Sequence, residues 1–363
     1  MRFLDSYNNL TRSEVGILLF LLLSTYRICL LPAILSEAAG ESAFYVVLAG
    51  LGIDVVVCFA ALLVASKGGV EALSMPRPVK RALGGVFAVY FLFKTLVRTY
   101  EVVHYCVGDL FEQAMPMLLV VVFVITAGLV ASKGFAGIAR TGIMILLITV
   151  FLVGFAAFYA GFCGYGYNLW VLLRPHDVGK GLLYSSLWLG DGAVLAFADT
   201  RTTVKPRSQF AWGAMAVAVV LVGMCFFYLN FIYTYGSAGR YVQYAFVRML
   251  TNGDPEELGA VDWPIMLIWL MSVPLHLASQ FYAGSEGVRL LLSRREHGGF
   301  IYLAGFAVAV VVAYYFLFAD KDGFAALYRT DALSYVLLGL LGVVVLLGAV
   351  ALRRRPKEQA NER

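Results

Sequence analysis

Lys94, Arg98, Glu101 and His104 lie in one otherwise apolar run at residues 82–108. Spacings of four, three and three residues put them on one side of an α-helix, with Tyr90, Val97 and Tyr105 on or near the same stripe. Ionisable groups at bilayer depth cost about 2.5–3.5 kcal/mol each on insertion scales, so they pair, line water or meet a ligand. The chemistry open to this stripe is ion pairing between helices, recognition of a charged solute, or an ion or water path along Lys94, Arg98 and Glu101. Arg27 is the next anomaly, midway along the apolar stretch Leu18–Ser36, with Pro32 after it. A guanidinium keeps its charge in a protein, so Arg27 needs a carboxylate, free backbone carbonyls or an anionic ligand. Asp191 and Glu101 are the partners expected within the chain; a substrate carboxylate is the alternative. Asp191 sits in Gly190-Asp191-Gly192, which interrupts the run Leu182–Ala198. Glycine permits backbone shapes that other residues resist. Unwound backbone inside a membrane persists only where it faces protein, water or ligand. Ser272, His276 and Gln280 recur every four residues in the run 262–292, beside Ser279 and a kink expected at Pro274. Histidine is the side chain that titrates near neutral pH, so His276 is either a proton carrier or a hydrogen-bonded core residue. Asp54, in the run 43–66, has no evident partner and is read as an interhelical contact.

The elements that must position these residues follow from the composition. Of 363 residues, 61% are hydrophobic and 14% charged, against about 25% charged in a soluble domain. Such a chain has too little polar surface for water, and its solvent is lipid. Apolar runs at 13–36, 43–66, 82–108, 114–131, 139–163, 182–199, 209–234, 262–292, 299–319 and 333–352 are each long enough to cross about 30 Å of hydrocarbon. The fold class expected is all-α integral membrane with ten transmembrane helices. The chain then forms a single membrane domain, 1–363, with a first five-helix repeat at 13–163, a second at 182–352 and a basic tail at 353–363. Helices 1 and 6 are the irregular ones and open the two halves. Five is odd, so the halves are expected to form an inverted repeat with a small-solute site at mid-membrane.

Lysine and arginine orient the bundle. With the N-terminus inside, 19 of the 28 fall on the inner side, 6 on the outer side and 3 within spans. This bias places both ends in the cytosol. The outer loops are acidic instead, notably Asp254, Glu256 and Glu257. No cleavable signal peptide is expected from Met1–Glu14 and the long run after it.

Other classes lose support. Five scattered cysteines (Cys29, Cys58, Cys106, Cys163, Cys225) form no CxxC pair and read as small core residues. The four histidines lack metal-ligand spacing, and no hydrolase, metalloprotease, P-loop or dinucleotide motif is present. The expectation is no enzyme, no metal and no cofactor. The net charge of +5 comes largely from loops on one face and does not indicate nucleic-acid binding.

Four segments carry a family resemblance: LLPAILSEAAGESAFYVVLAGLGIDVVV (30–57), LVRTYEVVH (96–104), ASKGFAGIARTGIMILLI (131–148) and LRPHDVGKGLLYSSLWLGDGAVLAF (173–197). In these, and in length and order, the chain resembles the B subunits of spore germinant receptors, within the amino acid–polyamine–organocation transporter superfamily. The resemblance implies a LeuT-like fold and recognition of a small nutrient, commonly an amino acid. It also implies A-type and C-type receptor subunits as partners in a spore inner membrane. By position it implies a ligand pocket of Thr25, Tyr26, Arg27, Val97, Glu101, Leu189, Gly190, His276 and Gln280, to which the residue reading adds Asp191. Tyr26-Arg27 stands where relatives usually have small residues. A proton-coupled amino-acid transporter on the same fold, with Glu101 or His276 as proton carrier, is the alternative function.

Overall fold

The computed structural model describes residues 10–111, 114–145, 177–200, 206–251, 262–292, 299–318, 327 and 329–353. Outside them lie most of the linker 164–181, the later part of the run 139–163, the acidic outer loop, and the basic tail beyond Arg353.

Thr11 and Glu14 start the first helix by capping each other. The Thr11 hydroxyl accepts from the Glu14 N–H at 3.4 Å, and the Glu14 carboxylate accepts from the Thr11 N–H at 2.7 Å. Helix α1 (Arg12–Ser24) then stops, Thr25–Leu30 form a turn, and α2 (Leu31–Ala39) resumes. Pro32 lies in the first turn of α2, where its missing N–H forfeits no helix bond. Next come α3 (Ala43–Ala65), a single turn at Gly69–Ala72, and α4 (Arg77–Tyr105). Helix α4 runs into a π-helical turn, Cys106–Leu110. Helices α5 (Pro116–Ala131) and α6 (Gly134–Ile145) meet at 111°. After α7 (Val178–Ser185) the chain tightens into a 3₁₀ turn, Ser186–Trp188, opens at Leu189-Gly190, and re-forms as 3₁₀ helix over Asp191–Phe197. The remaining helices are α8 (Pro206–Tyr235), α9 (Ala245–Thr251), α10 (Asp262–Leu292), α11 (Gly299–Leu317) and α12 (Asp331–Arg353). The runs predicted at 13–36 and 182–199 are thus both interrupted. The run predicted at 82–108 starts earlier, at Arg77, because a basic first turn carries no apolar signal.

Among the described residues, five helices are long and apolar enough to cross a membrane, or six if the bent pair α5–α6 counts as one span. Their outward faces are apolar. On α5, Leu118, Val122, Ile125 and Leu129 are all exposed, at spacings that form one stripe. Charge lies inside instead: Arg27, Asp54, Lys94, Arg98, Glu101 and Asp191 are all buried. This inversion of the soluble pattern marks an integral membrane protein.

Helix α4, which carries three of those charges, packs along α10. Gly84 and Gly287 allow the approach: a methyl group added at Gly84 would lie 2.7 Å from the Gly287 carbonyl oxygen. Helix α3 packs against α12 and the segment Asp191–Phe197, which brings Asp54 between the two interruptions.

Candidate functional site at two helix breaks

The first break frees carbonyls and places Arg27 inward. One Nη of Arg27 donates to the Trp188 carbonyl at 2.9 Å and also to the Asp54 carboxylate. The expected partners Asp191 and Glu101 are therefore corrected: the ion pair of Arg27 is with Asp54. Arg27 lies in the turn between α1 and α2, where its guanidinium meets Asp54 of α3, whereas Asp191 is taken by cations of α4. The other oxygen of Asp54 accepts the Gly190 N–H at 2.6 Å. Asp54 is thus the interhelical contact expected of it, and it ties the first break to the second.

The second break is organised by α4. The Lys94 ammonium donates to the carbonyls of Leu187 (2.6 Å) and Leu189 (2.8 Å) and lies 2.8 Å from Asp191 Oδ1. Its three protons therefore have three acceptors. Arg98 donates to Asp191 Oδ2 at 2.8 Å and, more weakly, to the Leu187 carbonyl and Glu101 at 3.4 and 3.3 Å. Its guanidinium also lies over the rings of Tyr26 and Trp188, 4.9 and 5.6 Å from their centres. Glu101 accepts from the Leu30 N–H at 3.2 Å and from the Trp188 indole at 3.3 Å, so it too joins the breaks. Three cations (Arg27, Lys94, Arg98) face three carboxylates (Asp54, Glu101, Asp191), and the formal charge of the cluster cancels.

Helix α10 closes one side. The Gln280 amide donates to Asp191 Oδ1 at 3.3 Å and meets His276 Nε2 at 3.1 Å. His276 Nδ1 lies 3.3 Å from the Leu21 carbonyl, an acceptor only. Those two partners select the tautomer with the proton on Nδ1. The His276 ring meets the Tyr26 ring edge-on, with centres 4.9 Å apart. Ser272, expected on one face with His276 and Gln280, and Ser279 beside them instead bond back to their own helix, at the Trp269 and His276 carbonyls. Gly190 has φ of 79°, the left-handed region that glycine enters without penalty. A methyl group there would fall 2.8 Å from the Tyr90 hydroxyl and closer still to Leu341.

The structure thus assembles Tyr26, Arg27, Glu101, Leu189, Gly190, Asp191, His276 and Gln280 with Lys94 and Arg98. Val97 is buried on α4 one turn from Lys94 and Glu101. Thr25 is buried, but its hydroxyl turns back to the Leu21 carbonyl at 2.8 Å. His104 leaves the cluster: it is exposed and stacks on Tyr100. Sequence reasoning passed over Trp188 as a donor and Asp54 as the hub. An ionisable residue within an apolar run was the available signal for Asp54.

Little open space accompanies the cluster. The cavity beside Arg27, lined also by Gly50, Ser185, Leu189 and Tyr228, holds about 20 Å³, room for roughly one water. Yet Tyr26 Oη, Arg27 Nε, Arg98 Nε, Ser186 Oγ and Gln280 Oε1 are buried without a hydrogen-bond partner. A larger cleft of about 490 Å³ between α4, α10 and α11 is lined by residues such as Val89, Leu92, Leu292 and Phe306, and by none of the ionic residues. Among the described residues no group of His, Cys, Asp and Glu could hold a metal ion. The arrangement suits binding of a small polar or charged solute in exchange for internal ion pairs.

By sequence, neither a protein-family model nor a curated protein matches the chain. By structure it is similar to a substrate-bound, outward-open Na⁺-coupled sialic acid symporter. The TM-score is 0.65 at 12% identity, over 96% of this chain and 80% of the other. It is also similar to a manganese transporter from Eremococcus coleocola, solved with an aromatic bis-isothiourea-substituted compound. There the TM-score is 0.55 at 10% identity, over 96% of this chain and 77% of the other. The chain therefore has the helical fold of membrane transporters.

Proposed function

We propose that this protein is a permease-like nutrient-sensing subunit of the germinant-receptor B type, binding a small solute, foremost an amino acid, at mid-membrane. In this reading the complete architecture is ten helices in two five-helix repeats, 13–163 and 182–352, with cytosolic termini. The protein is not an enzyme, and it acts with A-type and C-type subunits. The observation that carries the reading is the meeting of two helix breaks around buried, partly unpartnered polar groups, the arrangement by which membrane transport folds hold small solutes. A solute that binds one arrangement of the halves more tightly shifts the complex toward it by that difference in affinity.

The manganese and sodium of the structural neighbours do not transfer readily. The carbonyls freed at the second break, which elsewhere could hold a metal ion, already surround the Lys94 ammonium. A metal cation at that point would meet like charge. A proton-coupled amino-acid transporter is the second reading. It is favoured by Glu101, whose carboxylate accepts from both breaks and would loosen both if protonated.

The test is a thermal-shift screen of the purified protein against amino acids, sugars and nucleosides, followed by uptake in liposomes. Stabilisation by an amino acid without uptake supports the sensor. Proton-driven accumulation supports the transporter. No stabilisation by any solute overturns both. Glu101→Gln is expected to weaken the ligand response with folded protein retained; loss of folded protein would assign Glu101 a structural role.

A further inference from the structure

We propose that Asp54 is a built-in occupant of a carboxylate subsite formed by the Arg27 guanidinium and the Gly190 N–H, and that a small carboxylate takes this subsite only by exchange with Asp54. The inference rests on the reading of the breaks as the solute site, and it names the chemistry of the group bound there.

The donors of this subsite come from the two interruptions, whereas the acceptor comes from neither. Asp54 projects from the continuous helix α3 and divides its oxygens, one to Arg27 and one to the Gly190 N–H at 2.6 Å. A free carboxylate bridging the breaks would use the same two donors. The other two buried carboxylates of the cluster are committed elsewhere: Asp191 to Lys94 and Arg98, Glu101 to Arg98, Trp188 and Leu30. Asp54 is the carboxylate bonded to Arg27.

Arg27 is not saturated by that contact. Asp54 and the Trp188 carbonyl engage one Nη, while Nε is buried without a partner. A guanidinium offers paired donors that match a carboxylate in bidentate geometry, and Asp54, anchored to α3, does not supply it. The small cavity adjoins the same guanidinium. Leu31, Leu35, Val46 and Met224 also line it, so its far wall is apolar, and at about 20 Å³ it must widen to take more than a water-sized group. Charge balance gives the direction: with Asp54 withdrawn, three cations face two carboxylates, and the cluster favours an incoming anion.

The experiment uses full-length protein in detergent, with formate as probe and chloride at equal ionic strength as control. Asp54→Gly removes the carboxymethyl group and is expected to lower the melting temperature. Formate is expected to restore at least half of the loss, with no comparable shift in the wild type. In Arg27→Gln/Asp54→Gly the formate-specific gain disappears. A folded Asp54→Gly that responds to formate no more than to chloride overturns the proposal, and so does a gain that survives loss of Arg27. If Asp54→Gly folds only when produced in formate, that is the same rescue in stronger form. If it fails even then, Asp54→Asn is measured. It removes the charge and keeps the bulk, and formate is expected to shift it more than the wild type. No such difference, or failure of both variants to fold in formate, also overturns the proposal. The nutrient reading fails separately: formate rescue with no amino-acid shift in the wild type keeps the subsite and removes the sensor.

Discussion

At the first break, the freed carbonyls are held by neutral donors. The Trp269 indole reaches the Thr25 carbonyl at 2.7 Å, and the Tyr228 hydroxyl reaches that of Arg27 at 3.0 Å. The N–H groups of Phe246 and Ala245 reach the carbonyls of Ile28 and Cys29 at 3.0 and 3.1 Å. At the second break the partners are ions: Lys94 and Arg98 on carbonyls, Asp54 on the Gly190 N–H, Arg27 on the Trp188 carbonyl. The Tyr90 hydroxyl adds only long contacts of 3.4–3.5 Å. The carbonyl side of the first break is therefore a frame that survives changes of charge, while the Leu30 N–H of that break rests on an ion, Glu101. The second takes its shape from an ionic lattice and must change when that lattice does. A solute that exchanges for an internal ion acts on the second break directly and on the first through Asp54 and Glu101.

The largest expected effect follows from Asp191, the carboxylate shared by Lys94 and Arg98 at 2.8 Å each. Asp191→Asn keeps the shape and leaves a net positive charge in a buried cluster. Breaking a buried pair by removing one partner costs about 3–5 kcal/mol. Thermal unfolding in detergent is the measurement. A loss below about 1 kcal/mol, the range of an exposed ion pair, would break the contrast between the breaks.

The positions of both breaks were legible because their signals are local: a charge and a proline in one apolar run, Gly-Asp-Gly in another. The partner of Arg27 was not legible. Pairing across a bundle depends on how each helix is rotated, and α3 is apolar nearly all round, so its sequence shows no preferred face on which to place Asp54. Trp188, Trp269 and Tyr228 look in sequence like ordinary core aromatics; only the fold brings their polar ends to freed carbonyls or to Glu101. For α4 the periodicity gave the correct side of the helix but not how far the bundle covers it. Glu101 is buried, while His104, less than one turn on, is exposed.

A neutral clamp should behave differently from an ionic one. Trp269→Phe removes the indole N–H from the Thr25 carbonyl and leaves that carbonyl unmatched, a loss of about 1–3 kcal/mol. Because no charge changes, the ligand response should keep its affinity and any formate response its size. Thermal unfolding and ligand titration of the same sample check both. A loss of ligand response with stability retained would place Trp269 in the binding machinery and blur the distinction between frame and lattice.

The smallest effect is expected at Thr25, although its place beside Tyr26 and Arg27 marks it for the pocket. Its hydroxyl is committed to the Leu21 carbonyl of its own helix at 2.8 Å, and Leu21 also accepts the Thr25 N–H at 3.3 Å. Thr25→Val preserves the branched shape and deletes one of three donors to that carbonyl, the His276 Nδ1–H being the third, so the loss should not exceed about 1 kcal/mol. What Thr25 gives the break is its backbone carbonyl, which valine retains. Ligand affinity should therefore stay within about twofold of wild type, equivalent to roughly 0.4 kcal/mol. A tenfold fall in affinity without loss of stability would show that the hydroxyl leaves Leu21 to meet the solute. The first break would then be a moving part of the site, and not the fixed frame against which the ionic lattice rearranges.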